Sequence, residues 1–459
     1  MNALEIVNPA TGRVLDSLPA DDAAVVAAKC AAARRAQPGW ARVPLARKLQ
    51  ALAALRARLE SGRDELARIL TLETGKPIVQ SRHELRGVLE RIDFFAAATP
   101  SVLEPETVLD DPAAGLTERI THEPLGVVAN ISAWNYPYFV GGNVFIPALL
   151  TGNTVLYKPS EHAALTGVAI TLALHASGFP SDGFISVIGG GAAGAALAAG
   201  PVDGIFFTGS HATGRQIAAA AGPDFKKLQL ELGGKDPVYV CADADVAKAA
   251  ASLADGAFYN TGQSCCSVER IYVQEAILGA FLEALVAEVR RFPVGDPLDE
   301  STYIGPLARR PQLAVLENQV ADAKSKGARL LLGGRTIDRP GNFFEPTVLA
   351  AVDHTMAVMR DESFGPIIGV MGVAGDAEAV SLMNDTDYGL TAGVFSPDRE
   401  RAKRILAAVR CGSAYWNCCD RVSPRLPWSG VGHSGIGVTL STHGIRTFTR
   451  PKAWHLRKA

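Results

Sequence analysis

The amino-acid sequence predicts an α/β protein with two doubly wound parallel-sheet domains and a small additional β element. Short β-rich segments alternate with helical segments, which is typical of parallel sheets covered by helices. The alternation occurs in two successive blocks that meet near Gly233–Gly234. A chain of 459 residues that is 48% hydrophobic and 20% charged can bury more than one core.

The first block begins with helices and continues as alternating strands and helices. Helices are predicted over Pro44–Gly62, where leucines share one face, and over Glu65–Thr74, which ends at Gly75. The predicted strands are Val127–Ile131, Thr154–Tyr157, Ile185–Ile188, Gly204–Phe207 and Leu228–Glu231. Between them, helices are predicted over Leu165–Ser177 and Ala212–Ala221.

The second block repeats the alternation. Its predicted strands are Asp236–Val240, Ile271–Val273, Ala328–Leu332, Ile367–Val373, Ala392–Phe395 and Ser413–Trp416. Its predicted helices are Asp243–Tyr259, Leu278–Arg291, Leu313–Lys326, Ala377–Asn384 and Arg399–Val409.

The stretch Pro124–Tyr157 has no charged side chain and is long enough to cross a membrane. It also contains several asparagines, prolines and glycines, which would leave polar groups unsatisfied in lipid. We therefore interpret the stretch as buried strands around a polar site and expect no membrane span.

Composition excludes several other classes of protein. A formal net charge of -2 argues against a nucleic-acid-binding protein that uses a basic face. The seven cysteines show no zinc-ligand spacing, and their number does not suit a disulfide framework. Met1–Pro9 lacks the pattern of a secretory signal. We expect reduced thiols, no metal site and a cytoplasmic location.

Four features could carry chemistry. Gly189, Gly191 and Gly194 match a dinucleotide-binding glycine pattern, but no acidic residue follows at the expected distance, so a tight turn before a helix explains them better. Cys265 follows a polar turn, which suits an accessible thiol. Glu231 lies in an apolar strand, where a carboxylate is costly unless it is paired or protonated. Asn135 supplies an amide donor. These last three would provide a nucleophile, a base and an amide donor, but the sequence alone does not show that they meet.

The motifs that surround these residues resemble those of the aldehyde dehydrogenase superfamily over nearly the whole chain. Nine motifs occur in the family's order: Asn8–Gly12, Trp134–Pro137, Lys158–Glu161, Phe207–Ser210, Glu231–Lys235, Gly262–Cys265, Glu362–Pro366, Asn417 and Ser434–Gly437.

The resemblance implies a role for each matching position. Cys265 would be the nucleophile, Glu231 the base that activates water, and Asn135 an oxyanion donor together with the Cys265 backbone N–H. The resemblance assigns NAD binding to Trp134, Lys158, Ser160, Glu161, Gly209, Ser210, Gly233, Glu362 and Phe364. Because a carboxylate at Glu161 accepts ribose hydroxyls and repels a 2′-phosphate, NADP is expected to bind less well than NAD.

The resemblance also divides the chain. Residues 1–105 and 125–233 would form the Rossmann-like NAD-binding domain, and residues 234–433 the catalytic domain. Residues 106–124 and 440–459 would bridge subunits, so we expect a homodimer or homotetramer. The chain departs from the family pattern at Ala133, at His433 and at Val438–Thr439, which leaves part of the substrate mouth in question.

The substrate is expected to be a small-molecule aldehyde. Its pocket would be formed by Tyr136, Phe139, Val140, Asn143, Ser264, Cys266, Asp420, Val422 and Trp428, with Tyr415 close by. An aromatic cage of Tyr415, Trp416 and Trp428 would suit betaine aldehyde. Alternatively, Arg421 and Arg425 would hold the carboxylate of succinate semialdehyde. In a third interpretation, the aromatic residues only pack and the arginines are solvated.

Two other classes of protein fit less well. A catalytically silent relative would have lost the nucleophile or the base, and both Cys265 and Glu231 are present. A thiol hydrolase would need a histidine beside the cysteine, and no histidine lies in a recognisable partner motif.

Overall fold

The computed structural model describes residues 3–458, which form α-helices and strands in the alternation that the sequence predicts. The α-helices are α1 (Ala23–Arg42), α2 (Leu45–Ser61), α3 (Arg63–Thr74), α4 (Ile78–Leu103), α5 (Pro137–Leu150), α6 (Ala164–Ala176), α7 (Gly191–Ala199), α8 (His211–Ala221), α9 (Val246–Phe258), α10 (Leu278–Arg290), α11 (Pro311–Ser325), α12 (Ala357–Arg360), α13 (Asp376–Asn384), α14 (Arg399–Ala407) and α15 (Ser441–Thr447). The strands are β1 (Ala3–Val7), β2 (Val14–Pro19), β3 (Glu106–Asp111), β4 (Leu116–Pro124), β5 (Val127–Ile131), β6 (Thr154–Lys158), β7 (Phe184–Ser186), β8 (Gly204–Thr208), β9 (Lys227–Glu231), β10 (Pro237–Val240), β11 (Arg270–Gln274), β12 (Arg329–Leu332), β13 (Thr347–Ala350), β14 (Ile367–Val373), β15 (Thr391–Phe395), β16 (Ser413–Trp416), β17 (Gly435–Ile436) and β18 (Thr449–Arg457).

The first sheet has six strands in the order β17-β9-β8-β5-β6-β7. Its strands are parallel except β17, which returns from late in the chain and runs antiparallel to β9. Every residue of β5 and β6 is buried, as expected of central parallel strands covered by helices on both faces. The carboxyl ends of these strands therefore open onto one edge, where ligand crevices form in open α/β sheets.

The second sheet has seven strands in the order β12-β13-β14-β11-β10-β15-β16. It is parallel except at β12, which pairs antiparallel with β13. A third sheet has three antiparallel strands in the order β18-β4-β3. Strands β3 and β4 directly precede the first sheet in sequence, and β18 is the last strand of the chain. The hairpin of β1 and β2 stands apart from all three.

The predicted fold class is confirmed, but the interpretation of Pro124–Tyr157 as strands is wrong in part. The stretch contains β5 and β6, yet between them lies α5, a 14-residue helix in which all but two residues are buried. A helix that is apolar all round shows no polar face, so its periodicity is hidden in the sequence. Pro137 stands in its first turn, where proline is favoured. No helix within residues 3–458 is long and apolar enough to cross a membrane.

The sequence reasoning did not predict α1, α4, the hairpin or β13. Helix α4 matters most for the position of the site, because its 26 residues pack against α5 and present one polar face inward. That face repeats the helical spacing in Gln80, Glu84, Gly87 and Arg91, so the sequence does contain a signal for it.

Candidate active site

The turn that precedes Cys265 contains three consecutive residues with left-handed backbone conformations. After α9, Asn260 and Thr261 adopt left-handed φ angles of 54° and 59°, and Gly262 follows at 68°. A Cβ at Gly262 would lie 2.2 Å from the carbonyl oxygen of Gly365, so the close approach of the two chain segments requires glycine. The turn leaves the predicted nucleophile half-buried at the wall of a cavity.

Asn135 lies against this same turn, at the start of α5. Its amide Nδ2 donates a hydrogen bond to the carbonyl of Gln263 at 3.1 Å, and Asn260 donates to that carbonyl at 3.0 Å. An asparagine amide carries two donor hydrogens, and the second one of Asn135 makes no hydrogen bond within residues 3–458, although the buried Asn135 lines neither of the cavities described below. The structure thus brings the predicted amide donor to the segment that precedes the predicted nucleophile.

Glu231 ends β9 and also lines the cavity. Its carboxylate accepts hydrogen bonds from Gln229 Nε2, at 2.8 Å, and from the hydroxyl of Thr439. Burial raises the pKa of Glu231 to about 7, although both hydrogen bonds oppose the rise. A carboxylate with this pKa exchanges protons near neutral pH, as a general base requires.

The cavity beside Cys265 has a volume of about 500 Å³ and contains most of the predicted substrate pocket. The predicted residues that line it are Tyr136, Phe139, Val140, Asn143, Ser264, Cys266, Asp420, Val422 and Trp428. Tyr415 does not line it, because its hydroxyl turns to the backbone carbonyl of Arg421 at 2.8 Å.

The aromatic cage is not assembled around the cavity. Trp428 lines the wall, but Trp416 donates its indole N–H to the carbonyl of Ser396 and lies under the guanidinium of Arg399. Of the two arginines of the carboxylate alternative, the exposed Arg421 lines the cavity and the exposed Arg425 does not.

Helix α4 supplies a wall of the cavity that sequence reasoning missed. Gln80, Glu84, Gly87 and Arg91 line it one turn after another. Glu84 is fully buried, pairs with the ammonium of Lys76 and accepts the backbone N–H of Tyr138 at 2.9 Å.

Two aromatic rings of the cavity wall stack on each other with a cation against each ring, an arrangement of Lys76, Tyr136, Phe139 and Arg91 that we call the cation–aromatic column. Lys76 Nζ lies 3.7 Å from the ring centre of Tyr136, whose ring stacks on that of Phe139 at 5.7 Å with an angle of 3°. The guanidinium carbon of Arg91 then lies 3.8 Å from the ring centre of Phe139. Cations favour this position over an aromatic face.

The thiol next to the predicted nucleophile is differently placed. Cys266 is buried and donates a hydrogen bond to the Asp420 carboxylate at 2.9 Å. Its contact with the Cys265 thiol, its burial and the Asp420 charge raise the pKa of Cys266 well above the ordinary value. Burial in turn raises the pKa of Asp420 to about 6. Cys266 is therefore a protonated neighbour.

A second cavity of about 490 Å³ lies at the carboxyl edge of the first sheet, and Thr208 lines both cavities. The predicted cofactor residues that line it are Trp134, Lys158, Ser160, Glu161, Gly209 and Ser210. Ser210 caps α8, accepting the N–H of Thr213, so the positive end of the helix dipole faces this cavity. Gly191 and Gly194, which are interpreted from the sequence as part of a tight turn before a helix, also line it.

Gly233, Glu362 and Phe364 do not line the second cavity but meet beside Trp134. The Trp134 and Phe364 rings contact edge to face at 5.6 Å. Glu362 accepts the N–H of Gly234 at 3.0 Å, and a Cβ at Gly233 would lie 2.4 Å from its carboxylate oxygens. Burial raises the pKa of Glu362 to about 8, and the neighbouring Glu269 adds to the rise.

Two mainly parallel sheets, a cavity lined by a thiol and a buried acid, and a second cavity at the carboxyl edge of the first sheet fit the class of aldehyde dehydrogenases. The model of the aldehyde dehydrogenase family matches residues 1–454, and the chain belongs to this family. Its relatives include an aminoaldehyde dehydrogenase of Pisum sativum, 34% identical, with 97% of this chain and 91% of that protein covered. A betaine aldehyde dehydrogenase of Cereibacter sphaeroides is also 34% identical, with 98% of this chain and 93% of that protein covered.

Solved structures share the whole fold. An Escherichia coli enzyme described as NADP dependent superposes with a TM-score of 0.97 at 32% identity, covering 100% of this chain and 95% of that one. PnpE in complex with nicotinamide adenine dinucleotide gives a TM-score of 0.96 at 34% identity, covering 99% and 94%.

Proposed function

We propose that this protein oxidises an aldehyde to the carboxylic acid with NAD, through Cys265. One observation carries the proposal: Cys265 and Glu231 line the same cavity, and Thr208 lines both that cavity and the crevice at the edge of the first sheet. The reaction requires a nucleophile and a base in one cavity and a neighbouring crevice that can hold the cofactor.

The proposed mechanism derives from the positions of the side chains. The Cys265 thiolate attacks the aldehyde carbon, and the carbonyl oxygen gains charge that Asn135 and the Cys265 backbone N–H stabilise. NAD, when bound, supplies the hydride acceptor that converts the Cys265 thiohemiacetal to a thioester. Glu231 then removes a proton from water as the water oxygen attacks the thioester carbon; the C–S bond breaks, which releases the acid and the Cys265 thiolate and leaves the proton on Glu231 for loss to solvent.

The residues around the second cavity suit NAD. Glu161 offers a carboxylate to ribose hydroxyls, and Lys158 Nζ lies 3.9 Å from it. Burial acts to raise the pKa of Glu161, but hydrogen bonding and Lys158 outweigh it, so the pKa stays below its ordinary value and the group is anionic at neutral pH. The start of α8 at Ser210 would hold the pyrophosphate. Glu362 and Phe364 would hold the nicotinamide riboside beside Trp134.

Two substrate classes are candidates. The names of the relatives support an aldehyde that carries an amino or quaternary ammonium group, including betaine aldehyde. A carboxylate-bearing aldehyde such as succinate semialdehyde is the second class, although of its two proposed arginines Arg425 lies away from the cavity. The second class nevertheless gains support from a different arginine, Arg91, which is buried in the cavity wall.

We also propose the domain division expected from the sequence. Strands of the first sheet come from residues 127–231, apart from the short β17, and those of the second sheet from residues 237–416. The third sheet combines residues 106–124 with the tail and has two edge strands, β3 and β18, which expose Val108, Trp454 and Leu456. Such edges favour pairing with another subunit, in a homodimer or homotetramer.

The proposed function is tested by measuring NADH formation with a panel of aldehydes. The panel contains a trimethylammonium aldehyde, succinate semialdehyde and butanal, each with NAD and with NADP, before and after treatment with iodoacetamide. We expect NAD-dependent oxidation of at least one aldehyde and its loss after alkylation. Absence of NADH with every aldehyde would refute the proposal, as would turnover that survives complete alkylation of Cys265.

A further inference from the structure

Arg91 is a buried cation without an ionic partner. Its side chain lines the substrate cavity, it is 4% exposed, and no carboxylate within residues 3–458 lies within ion-pair distance of it. Burial lowers the pKa of Arg91 to about 10, although the charges of Glu84, Glu90 and Glu231, which lie beyond ion-pair distance, oppose the fall, so the guanidinium is still charged at neutral pH. An unpaired buried charge is costly, and such a charge in a binding cavity suggests a ligand that completes it.

The hydrogen bonds of Arg91 leave one nitrogen free. Nε donates to Asn143 Oδ1 at 3.0 Å, and Nη1 donates to the carbonyl of Gly87 at 3.1 Å. Within the described chain, Nη2 makes no hydrogen bond, and it is not among the buried polar atoms that lack a partner. Nη2 therefore retains accessible surface, and the side chain that bears it lines the cavity.

The carboxylates of the same cavity are mostly engaged by the protein's own donors. Glu84 pairs with Lys76, Glu231 accepts from Thr439, Asp255 accepts the Tyr303 hydroxyl, and Asp420 accepts the Cys266 thiol. Glu90 is exposed at the rim. One oxygen of Glu231, of Asp255 and of Asp420 still makes no hydrogen bond within residues 3–458, so these acceptors are only partly occupied. Arg91 contributes a buried cationic donor to the same cavity wall.

The cation–aromatic column also covers the faces of two aromatic rings in the cavity wall. Lys76 covers one face of Tyr136, whose ring stacks on Phe139, and Arg91 covers a face of Phe139. These faces are therefore not free to receive a quaternary ammonium, which would also approach the positive guanidinium.

We infer that Arg91 determines substrate specificity by binding a carboxylate at the far end of the aldehyde substrate. The inference rests on the proposed function and names its substrate class: a semialdehyde whose aldehyde reaches Cys265 while its carboxylate reaches Arg91. The planar guanidinium, oriented by Asn143 and Gly87, presents Nη2 to an anionic oxygen in a charge-assisted hydrogen bond.

The test compares kcat/KM for ω-carboxy aldehydes of increasing length with the values for neutral aldehydes of equal length and for a trimethylammonium aldehyde. The variants are Arg91→Lys, which keeps the charge but loses the planar guanidinium with its several N–H donors, and Arg91→Met, which keeps the approximate side-chain volume. Arg425→Met, an exposed arginine outside the cavity, is the matched control. Thermal unfolding of each variant verifies folding.

We expect Arg91→Met to lose about 30-fold or more in kcat/KM for the best semialdehyde, mainly through KM, because a charge-assisted hydrogen bond to a buried carboxylate is lost. Neutral aldehydes should change less than about threefold, and Arg91→Lys should lie between. Equal losses on all substrates would assign Arg91 a structural role and overturn the inference, as would a wild-type preference for the trimethylammonium aldehyde that Arg91→Met leaves intact. If the wild-type protein oxidises no aldehyde, the proposed function itself fails.

Discussion

The cavity beside Cys265, called the substrate cavity below, and the crevice at the edge of the first sheet share Thr208 in their linings but are built in different ways. The crevice at the first sheet takes its lining from strand ends and helix starts that are close in sequence, such as Lys158–Glu161 and Thr208–Ser210. The substrate cavity takes its lining from α4, from the start of α5, from the Cys265 turn and from residues 420–428, which are far apart in sequence. Local backbone geometry forms the first, whereas long-range packing forms the second.

This difference separates two kinds of residue. In the crevice, turns and helix dipoles present backbone groups to a ligand that carries the same phosphates in every reaction. In the cavity beside Cys265, the proposed function makes individual side chains such as Arg91 and Asp420 responsible for substrate selection. Variants of the two regions should therefore affect different measurements.

The largest effect is expected from Cys265→Ala. Removal of the nucleophile should lower kcat by about four orders of magnitude or more, while NAD binding measured by calorimetry stays unchanged. Cys411→Ala is the control, because this half-buried thiol lines neither cavity. Dehydrogenase activity that persists in Cys265→Ala would remove the basis for the proposed mechanism.

Glu231→Gln should slow hydrolysis of the thioester by about 10²- to 10³-fold, because the amide cannot accept the proton of water. Stopped-flow measurements should then show a burst of NADH and, after it, slow turnover. A turnover number equal to that of the wild type, without a burst, would contradict the role of Glu231 as base.

Glu161→Gln should affect the crevice and not the chemistry. Loss of the carboxylate that accepts ribose hydroxyls should raise KM for NAD about tenfold, and relief of charge repulsion should lower KM for NADP. With saturating NAD, kcat should remain that of the wild type. The exposed Glu283→Gln is the control, and a fall in kcat without a change in KM would show that the two regions are not separable.

The smallest effect concerns pH. Glu231 must be deprotonated to act as base and its pKa is about 7, so a turnover limited by hydrolysis should rise as pH increases through 7 and then level off. The Thr439 hydroxyl stabilises the charged carboxylate, so Thr439→Val should move this rise to higher pH. A pH profile that is the same in both proteins would show that Thr439 does not set this pKa.

The sequence was sufficient to predict the α/β class and most strands, because strand ends coincide with glycines and with changes in periodicity. Nine residues predicted for the substrate pocket line the cavity beside Cys265; Tyr136 and Ser264 belong to motifs, whereas residues such as Trp428 are placed there by position. Tyr415, expected close by the pocket, does not line the cavity itself: its hydroxyl donates to the carbonyl of Arg421, which does, and no local pattern encodes that hydrogen bond.

The contribution of α4 could not be predicted from motifs, because its inward residues belong to no catalytic or cofactor motif; their helical spacing indicates a helix but not what the helix faces. Glu84 and Arg91 acquire their positions only when α4 packs on α5, more than thirty residues further along the chain. Likewise, Thr439 stands out in the sequence only as a departure from the family pattern, yet its hydroxyl reaches Glu231 because the chain near β17 returns to β9.

The cation–aromatic column has a consequence for how this protein can change over evolution. Lys76, Tyr136, Phe139 and Arg91 support one another in turn along the stack, and Glu84 balances the charge at one end. Loss of Tyr136 or Phe139 would leave a buried cation without the aromatic ring that it contacts. Loss of Lys76 would leave the Glu84 carboxylate without its cation, and loss of Arg91 would leave the substrate carboxylate without one. We therefore expect these five positions to covary among related sequences, so that the set of five would mark the proteins that share this substrate preference.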